Sequence, residues 1–195
     1  MEKKKSNLFN IAVMVSGSGS NLQAIIDNVN SGYIKANIEL VISSKQDVYA
    51  LKRAKDNNIK SVVLKDDIKK MLGVLEENDI DLIVLAGYLS ILDKKIIERY
   101  ENRIINIHPS LIPKYCGKGY YGIKVHEQVI RNKEKVSGAT VHYVNNGIDT
   151  GEIIIQEHLQ VNEDDTAQTL QKRVLEIEHK ILPKAINIII EKLKF

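Results

Sequence analysis

The sequence predicts an α/β fold: a doubly wound, mostly parallel sheet of about seven strands, with helices on both faces and antiparallel strands near the C-terminus. Three observations predict it. Short apolar runs alternate with stretches whose apolar residues recur at helical spacing, and that succession of strand, helix and strand implies parallel pairing through crossover helices. A glycine-rich stretch follows the first apolar run directly. A length of 195 residues with 44% apolar content supplies one buried core, so residues 1–195 are expected to form a single domain.

The first element is the run Ile11-Ala12-Val13-Met14-Val15, ended by Ser16-Gly17-Ser18-Gly19-Ser20-Asn21 and followed by Leu22, Ile25, Ile26 and Val29 on one helical face. A strand from Ile38 to Ser43 and a helix from about Asp47 to Asn57 come next. A strand from Ser61 to Leu64, a helix reaching about Asn78 and a strand from Asp81 to Ala86 continue the alternation. After Gly87 a short helix runs through Ile96 and Ile97. The stretch Arg103-Ile104-Ile105-Asn106-Ile107-His108 then reads as a strand that Pro109 stops. Strands Ala139–Val144 and Glu152–Gln156 flank Asn145 to Gly151, a join dense in turn residues and long enough for a functional loop. From Asp165 onward Leu170, Val174, Ile177 and Ile181 mark a long helix, N-capped by Asp165 or Thr166 and expected to kink or break at Pro183.

The composition narrows the function classes. The net charge of +3 comes from dispersed lysines that alternate with acids, as in Glu191-Lys192, a pattern of solvated faces rather than a nucleic-acid footprint. No Trp and two Phe leave little for stacking bases. No run of about 18 apolar residues is present, and the lysine-rich start leads into a strand rather than a signal-peptide core. A cytoplasmic protein without membrane or nucleic-acid partners is therefore expected, as a monomer or homodimer. The one cysteine, Cys116, has no partner for an internal disulfide and no neighbouring zinc-ligand spacing.

Strand, Gly-Ser-Gly-Ser-Asn loop and helix together place free backbone N–H groups and the positive end of a helix dipole at one point, which suits a phosphate. The dinucleotide fingerprint would need glycine at Leu22 and an acid near Ser43 and Ser44, and no Walker lysine follows the loop. A tight turn that merely requires glycine is the competing account.

Asn106 and His108, two residues apart on a strand, project from the same face at its C-terminal end, where open parallel sheets bind ligands. Asn offers an uncharged donor and His a donor that titrates near neutrality, a pair able to hold an oxyanion and then pass on a proton. Asp149, in the join before Thr150-Gly151, would raise the pKa of His108 and favour its charged form. A strand-end cap, a satisfied core histidine and an Asx turn are the alternatives for the three. His126 on a helical pattern, His158 at a strand end and His179 on the last helix read as surface or packing residues. His142 lies on the opposite side from Val141 and either looks toward the site or serves as a polar core residue.

Taken in order, Ser16 to Ile25, Leu85-Ala86-Gly87-Tyr88, Asn106-Ile107-His108-Pro109-Ser110-Leu111, Asp149-Thr150-Gly151 and Glu178-His179 resemble the phosphoribosylglycinamide formyltransferase family along essentially the whole chain. The Asn-x-His-Pro-Ser-Leu stretch is shared with methionyl-tRNA formyltransferase and formyltetrahydrofolate deformylase. The glycine loop and Glu178 narrow the resemblance to the purine enzyme. It implies the formyltransferase fold and transfer of the formyl group of 10-formyltetrahydrofolate, as cosubstrate, to the amine of 5-phosphoribosylglycinamide in de novo purine synthesis, with no metal. It further implies that Gly19, Ser20 and Asn21 take the substrate phosphate and that Glu178 binds the ribose hydroxyls. Leu89, Ser90, Ile91 and Leu92, with Asn145, Asn146, Gly147, Ile148 and Asp149, would wrap the pterin and leave the formyl group over the catalytic Asn106 and His108, with Asp149 as their partner. A formyltetrahydrofolate hydrolase and a non-catalytic folate- or nucleotide-binding module are the alternatives.

Three features depart from the family pattern. Ser90 stands where bacterial relatives carry Arg, and the stretch Lys65 to Glu77 is shorter and lacks an arginine for the folate glutamate tail, with Lys65 or Lys69 as substitutes. Gly117-Lys118-Gly119-Tyr120-Tyr121-Gly122 reads as an inserted flap, on which Lys118 is either solvated or near an anion.

Overall fold

In the computed structural model, which describes residues 8–194, the predicted alternation is present. The elements are β1 (Phe9–Val15), α1 (Ser20–Asn30), β2 (Ala36–Ser43), α2 (Tyr49–Asp56), β3 (Ser61–Val63), α3 (Ile68–Glu77), β4 (Leu82–Leu85), α4 (Lys94–Arg99), β5 (Ile104–His108), α5 (Ile123–Arg131), β6 (Val136–Tyr143), β7 (Ile153–Gln160) and α6 (Ala167–Leu193). They build a seven-stranded sheet in the order β3-β2-β1-β4-β5-β6-β7. Pairing is parallel from β3 to β5, and antiparallel between β5 and β6 and between β6 and β7. The fold class is as the sequence predicts.

Alternating residues of β1 feed two separate cores, as the two-residue period of a strand dictates. Ile11, Val13 and Val15 pack with Leu22, Ile25 and Ile26 of α1 and with Ile181, Leu182 and Ile186 of α6. Ala12 and Met14 pack on the other face with Met71 and Leu75 of α3 and Ile96 of α4. Helices therefore cover both faces of the central strands. Strand order reverses direction at β1, which has β2 on one side and β4 on the other. The chain leaving these two strands diverges and opens a crevice at their C-terminal ends.

Two boundaries differ from expectation. Pro183 does not break α6, which continues to Leu193. The missing N–H costs one helical bond, but Ile181, Leu182, Ala185, Ile186, Ile189 and Ile190 are all buried around it and hold both halves against the sheet. Strands β6 and β7 extend beyond the predicted residues, so His158 lies within β7, opposite Gly138, rather than at a strand end. Among the described residues no helix is long and apolar enough to cross a membrane.

Candidate active site

A cleft of about 910 Å³ opens at the crevice beside β1, β4 and β5. Its walls come from the β1–α1 loop, residues 85–92, the end of β5, residues 117–122, the turn after β6, and Gln171, Lys172, Leu175 and Glu178 of α6. Every residue that the sequence proposes for catalysis, for the phosphate and ribose or for the pterin lines this one cavity; Lys65 and Lys69, offered for the folate tail, do not.

At one end Gly19 caps α1 with φ 72°, and a Cβ there would lie 2.7 Å from Cβ of Ala50. Only glycine fits both the conformation and the space. The first helical bond runs from Gln23 N–H to the Gly19 carbonyl, so the amides before it remain free to meet an anion. Arg53 steadies the loop from outside, donating through Nε to the Ser18 carbonyl at 3.0 Å and through a terminal nitrogen to Gln23 Oε1 at 2.9 Å. Asn21, expected at the phosphate, commits its side-chain amide to Glu178, donating to Oε2 at 2.6 Å. Glu178 is buried, and that burial pushes its carboxyl up to about 7, with the Asn21 bond opposing the shift.

The end of β5 carries the second cluster. Antiparallel register sets Asn106 opposite His142, so the two side chains share a face. The Nδ2 atom of Asn106 lies 3.1 Å from His142 Nε2 and 3.5 Å from Asp149 Oδ1. His142 Nδ1 stands 2.7 Å from the Tyr143 carbonyl, which only accepts, so Nδ1 carries a hydrogen and Nε2 is the nitrogen turned to the Asn106 amide. His108 is likewise fixed, with Nε2 donating to the Tyr115 carbonyl at 2.9 Å and Nδ1 facing Asp149 Oδ2 at 3.6 Å. Asp149, in the left-handed region at φ 55°, also accepts the Gly117 N–H through Oδ2 at 2.9 Å and faces His142 Nε2 at 3.6 Å.

The electrostatics correct one expectation. Asp149 does raise the pKa of His108, but burial acts more strongly and leaves the imidazole below its ordinary value, so the ligand-free site favours neutral His108. Burial by itself would raise Asp149, yet the His142 and His108 imidazoles that face it and the Gly117 amide outweigh burial and hold its carboxyl below the ordinary range.

The remaining wall is apolar and open. Leu89 and Ile91, 53% and 77% exposed, line it together with exposed Ile148 and buried Leu92. The Leu89 amide donates to Ser16 Oγ at 2.8 Å, which ties this segment to the end of β1. Ser90 is hydrogen-bonded to the Tyr88 phenol, whose pKa burial raises. Asn145 spends its side-chain oxygen on the Gly147 amide at 3.0 Å and the Thr150 hydroxyl at 2.8 Å, shaping the turn that also carries Asn146. Gly117, Gly119 and Gly122 all have positive φ, and Lys118 between them lines the cleft. Lys65 lies outside the cleft, 4.0 Å from Asp66, and Lys69 borders a separate groove with Lys95.

Sequence reasoning missed the Tyr115 carbonyl and the Gly117 amide, backbone groups that no residue type announces. It also undervalued His126, which is buried in the cleft wall and pushed down to about 4 by burial and by the nearby His108. His179 is pulled below its ordinary value, by burial first and then by Arg53.

Comparison with known proteins places this geometry. A family model described as formyl transferase matches residues 9–186. A phosphoribosylglycinamide formyltransferase of Haemophilus influenzae is 40% identical over 185 residues, which cover 91% of this chain and 85% of that one. A chloroplastic phosphoribosylglycinamide formyltransferase of Arabidopsis thaliana is 36% identical over 93% of this chain, which spans 65% of that protein's length. The crystal structure of glycinamide ribonucleotide transformylase 1 from Symbiobacterium toebii superposes with a TM-score of 0.89 at 34% identity, covering 98% of this chain and 92% of that one.

Proposed function

The chain belongs to the formyl transferase family, and from that premise we propose that it transfers the formyl group of 10-formyltetrahydrofolate to the amine of 5-phosphoribosylglycinamide, a step of de novo purine synthesis. The observation that carries the reading is the sharing of one cleft by the glycine loop at Gly19 to Asn21, at the start of α1, and the Asn106, His108 and Asp149 cluster. A hydrolase needs only the second; a transferase to a phosphorylated amine needs both.

In this reading the amides of Gly19, Ser20 and Asn21 hold the phosphate and Glu178 accepts from the ribose hydroxyls. Leu89, Ser90, Ile91, Leu92 and the turn from Asn145 to Asp149 hold the folate ring, for which the apolar, open wall is suited. The folate supplies the formyl carbon. The substrate amine attacks that carbon, and Asn106 with His108 meets the oxygen on which charge develops. Both Nδ2 hydrogens of Asn106 are engaged, so donation to that oxygen exchanges the longer, 3.5 Å contact with Asp149. Because Nε2 of His108 is committed to Tyr115, Nδ1 is the nitrogen that takes up and gives back the proton. Asp149 stabilises the imidazolium so formed. The proton lost by the attacking amine ends on the folate nitrogen as its bond to the formyl carbon breaks, which balances the exchange.

The test follows release of tetrahydrofolate with and without the ribonucleotide, with the product identified by mass. Release that depends on the ribonucleotide and yields a formylated product is expected. Release of formate without it would replace this reading by the hydrolase.

A further inference from the structure

We propose that Tyr115 is a positioning residue for His108, held through its phenol by Glu134 and Asn132, and that this tether fixes the imidazole tautomer whose Nδ1 faces Asp149. The proposal rests on the reading of His108 as catalytic.

Tyr115 has φ 53°, a conformation that an aromatic residue rarely keeps unless its surroundings impose it. The surroundings here are specific. The phenol donates to Glu134 Oε1 at 2.9 Å and accepts from Asn132 Nδ2 at 2.8 Å. Both partners stand in the turn between α5 and β6, so the tether joins the loop after β5 to a separate part of the fold. Lys114 Nζ lies 3.0 and 3.2 Å from the two Glu134 oxygens and, with the phenol, holds that carboxyl below its usual range as a charged acceptor. The Ser110 hydroxyl fixes the preceding Lys114 carbonyl at 2.7 Å, and the Tyr120 ring meets Tyr115 edge-on at 6.0 Å.

With the side chain tethered, the backbone that follows has little freedom. The Tyr115 carbonyl accepts Nε2–H of His108 at 2.9 Å, and two residues later the Gly117 amide donates to Asp149 at 2.9 Å. One three-residue segment therefore orients both members of the pair. A carbonyl cannot donate, so the contact excludes the tautomer bearing hydrogen on Nδ1 alone and leaves that nitrogen open to the reacting proton. The same bond raises the pKa of His108 against the effect of burial. Without the tether the ring could turn or exchange tautomers, which is a loss of orientation rather than of substrate binding.

The test combines turnover with histidine 15N spectra of the whole protein carrying Tyr115→Phe, Glu134→Ala or Glu134→Gln. Tyr115→Phe and Glu134→Ala should lower kcat about tenfold with KM for both substrates within about twofold, since misorientation affects the reacting state most. The His108 signals should move from a single Nε2–H tautomer toward a mixture. Glu134→Gln retains an oxygen that accepts from the phenol and should keep at least about half of the turnover. A His108 tautomer unchanged in both damaging variants overturns the proposal, as does unchanged turnover accompanied only by a lower melting temperature. The spectra need no substrate, so failure of the formyl-transfer reading would show separately, as absent turnover in the unmodified protein.

Discussion

Asn21 and Glu178 meet at 2.6 Å across 157 positions of sequence, the first at the start of α1 and the second in the middle of α6. Their contact joins the glycine loop to α6 and buries a carboxyl group whose hydrogen-bond partner among the described residues is a neutral amide. Desolvation without a cation makes that carboxyl a weak acid, and three consequences for binding, stability and pH follow from it and from its surroundings.

On the proposed reading, Glu178→Gln should raise KM for the ribonucleotide about tenfold and change kcat less, because it replaces an ionisable acceptor for the sugar hydroxyls, outside the reacting centre, by a neutral amide. It should also stabilise the protein at alkaline pH. With its folded pKa at about 7, above the unfolded value, Glu178 contributes stability below about pH 4.5 that is lost as pH rises through 7. The difference amounts to something on the order of 3 kcal/mol, so urea unfolding at pH 5 and pH 8 should show the Gln variant gaining on the parent protein.

Gly19→Ala should destabilise the chain by about 2–4 kcal/mol, since the left-handed backbone and the collision with Ala50 both act against a Cβ. Any folded fraction should bind the ribonucleotide poorly while still binding folate, which equilibrium titration of each ligand separately would show.

His126 acts in the opposite direction over much the same pH range. Its folded pKa of about 4 lies below the unfolded value, so the stability it contributes is present above about pH 6.5 and lost as pH falls toward 4. His126→Gln should therefore flatten the decline in urea-unfolding free energy across that interval. An equally steep decline in the variant would assign the acid sensitivity to another group.

His108→Ala should reduce kcat by about 10²–10⁴-fold with the fold intact by circular dichroism. Asp149→Asn should also depress turnover strongly. Because the Asp149 charge raises the His108 pKa, its removal should move the inflection of the kcat profile to lower pH. A profile that stays in place would mean that the inflection belongs to another group.

Much of this was legible in the sequence because it depends on periodicity. The alternation of apolar runs gave the strands and crossover helices, and the two-residue spacing of Asn106 and His108 gave their common face. The proximity of Asp149 to that face depended on a turn shaped by Asn145 and Thr150, to which the family resemblance pointed and spacing did not. The sequence left the part played by His142 open between site and core because it depends on which residue of β6 lies opposite Asn106, and antiparallel register is set by packing between distant segments. Pro183 misled for a related reason: local propensity disfavours a helix there, but the buried residues on either side decide the outcome. The net charge state of His108 was also beyond reach, since it follows from the depth of burial rather than from the identity of a neighbour.

The contact between the glycine loop and α6 also bears on synthesis. Along the chain Asn21 of the glycine loop is synthesised 157 residues before Glu178, with strands β2 to β7 made in between. The two sides of that end of the cleft therefore meet only once the sheet that separates them in sequence has been made. Closure of the Asn21–Glu178 contact is in this sense a report that α6 has docked.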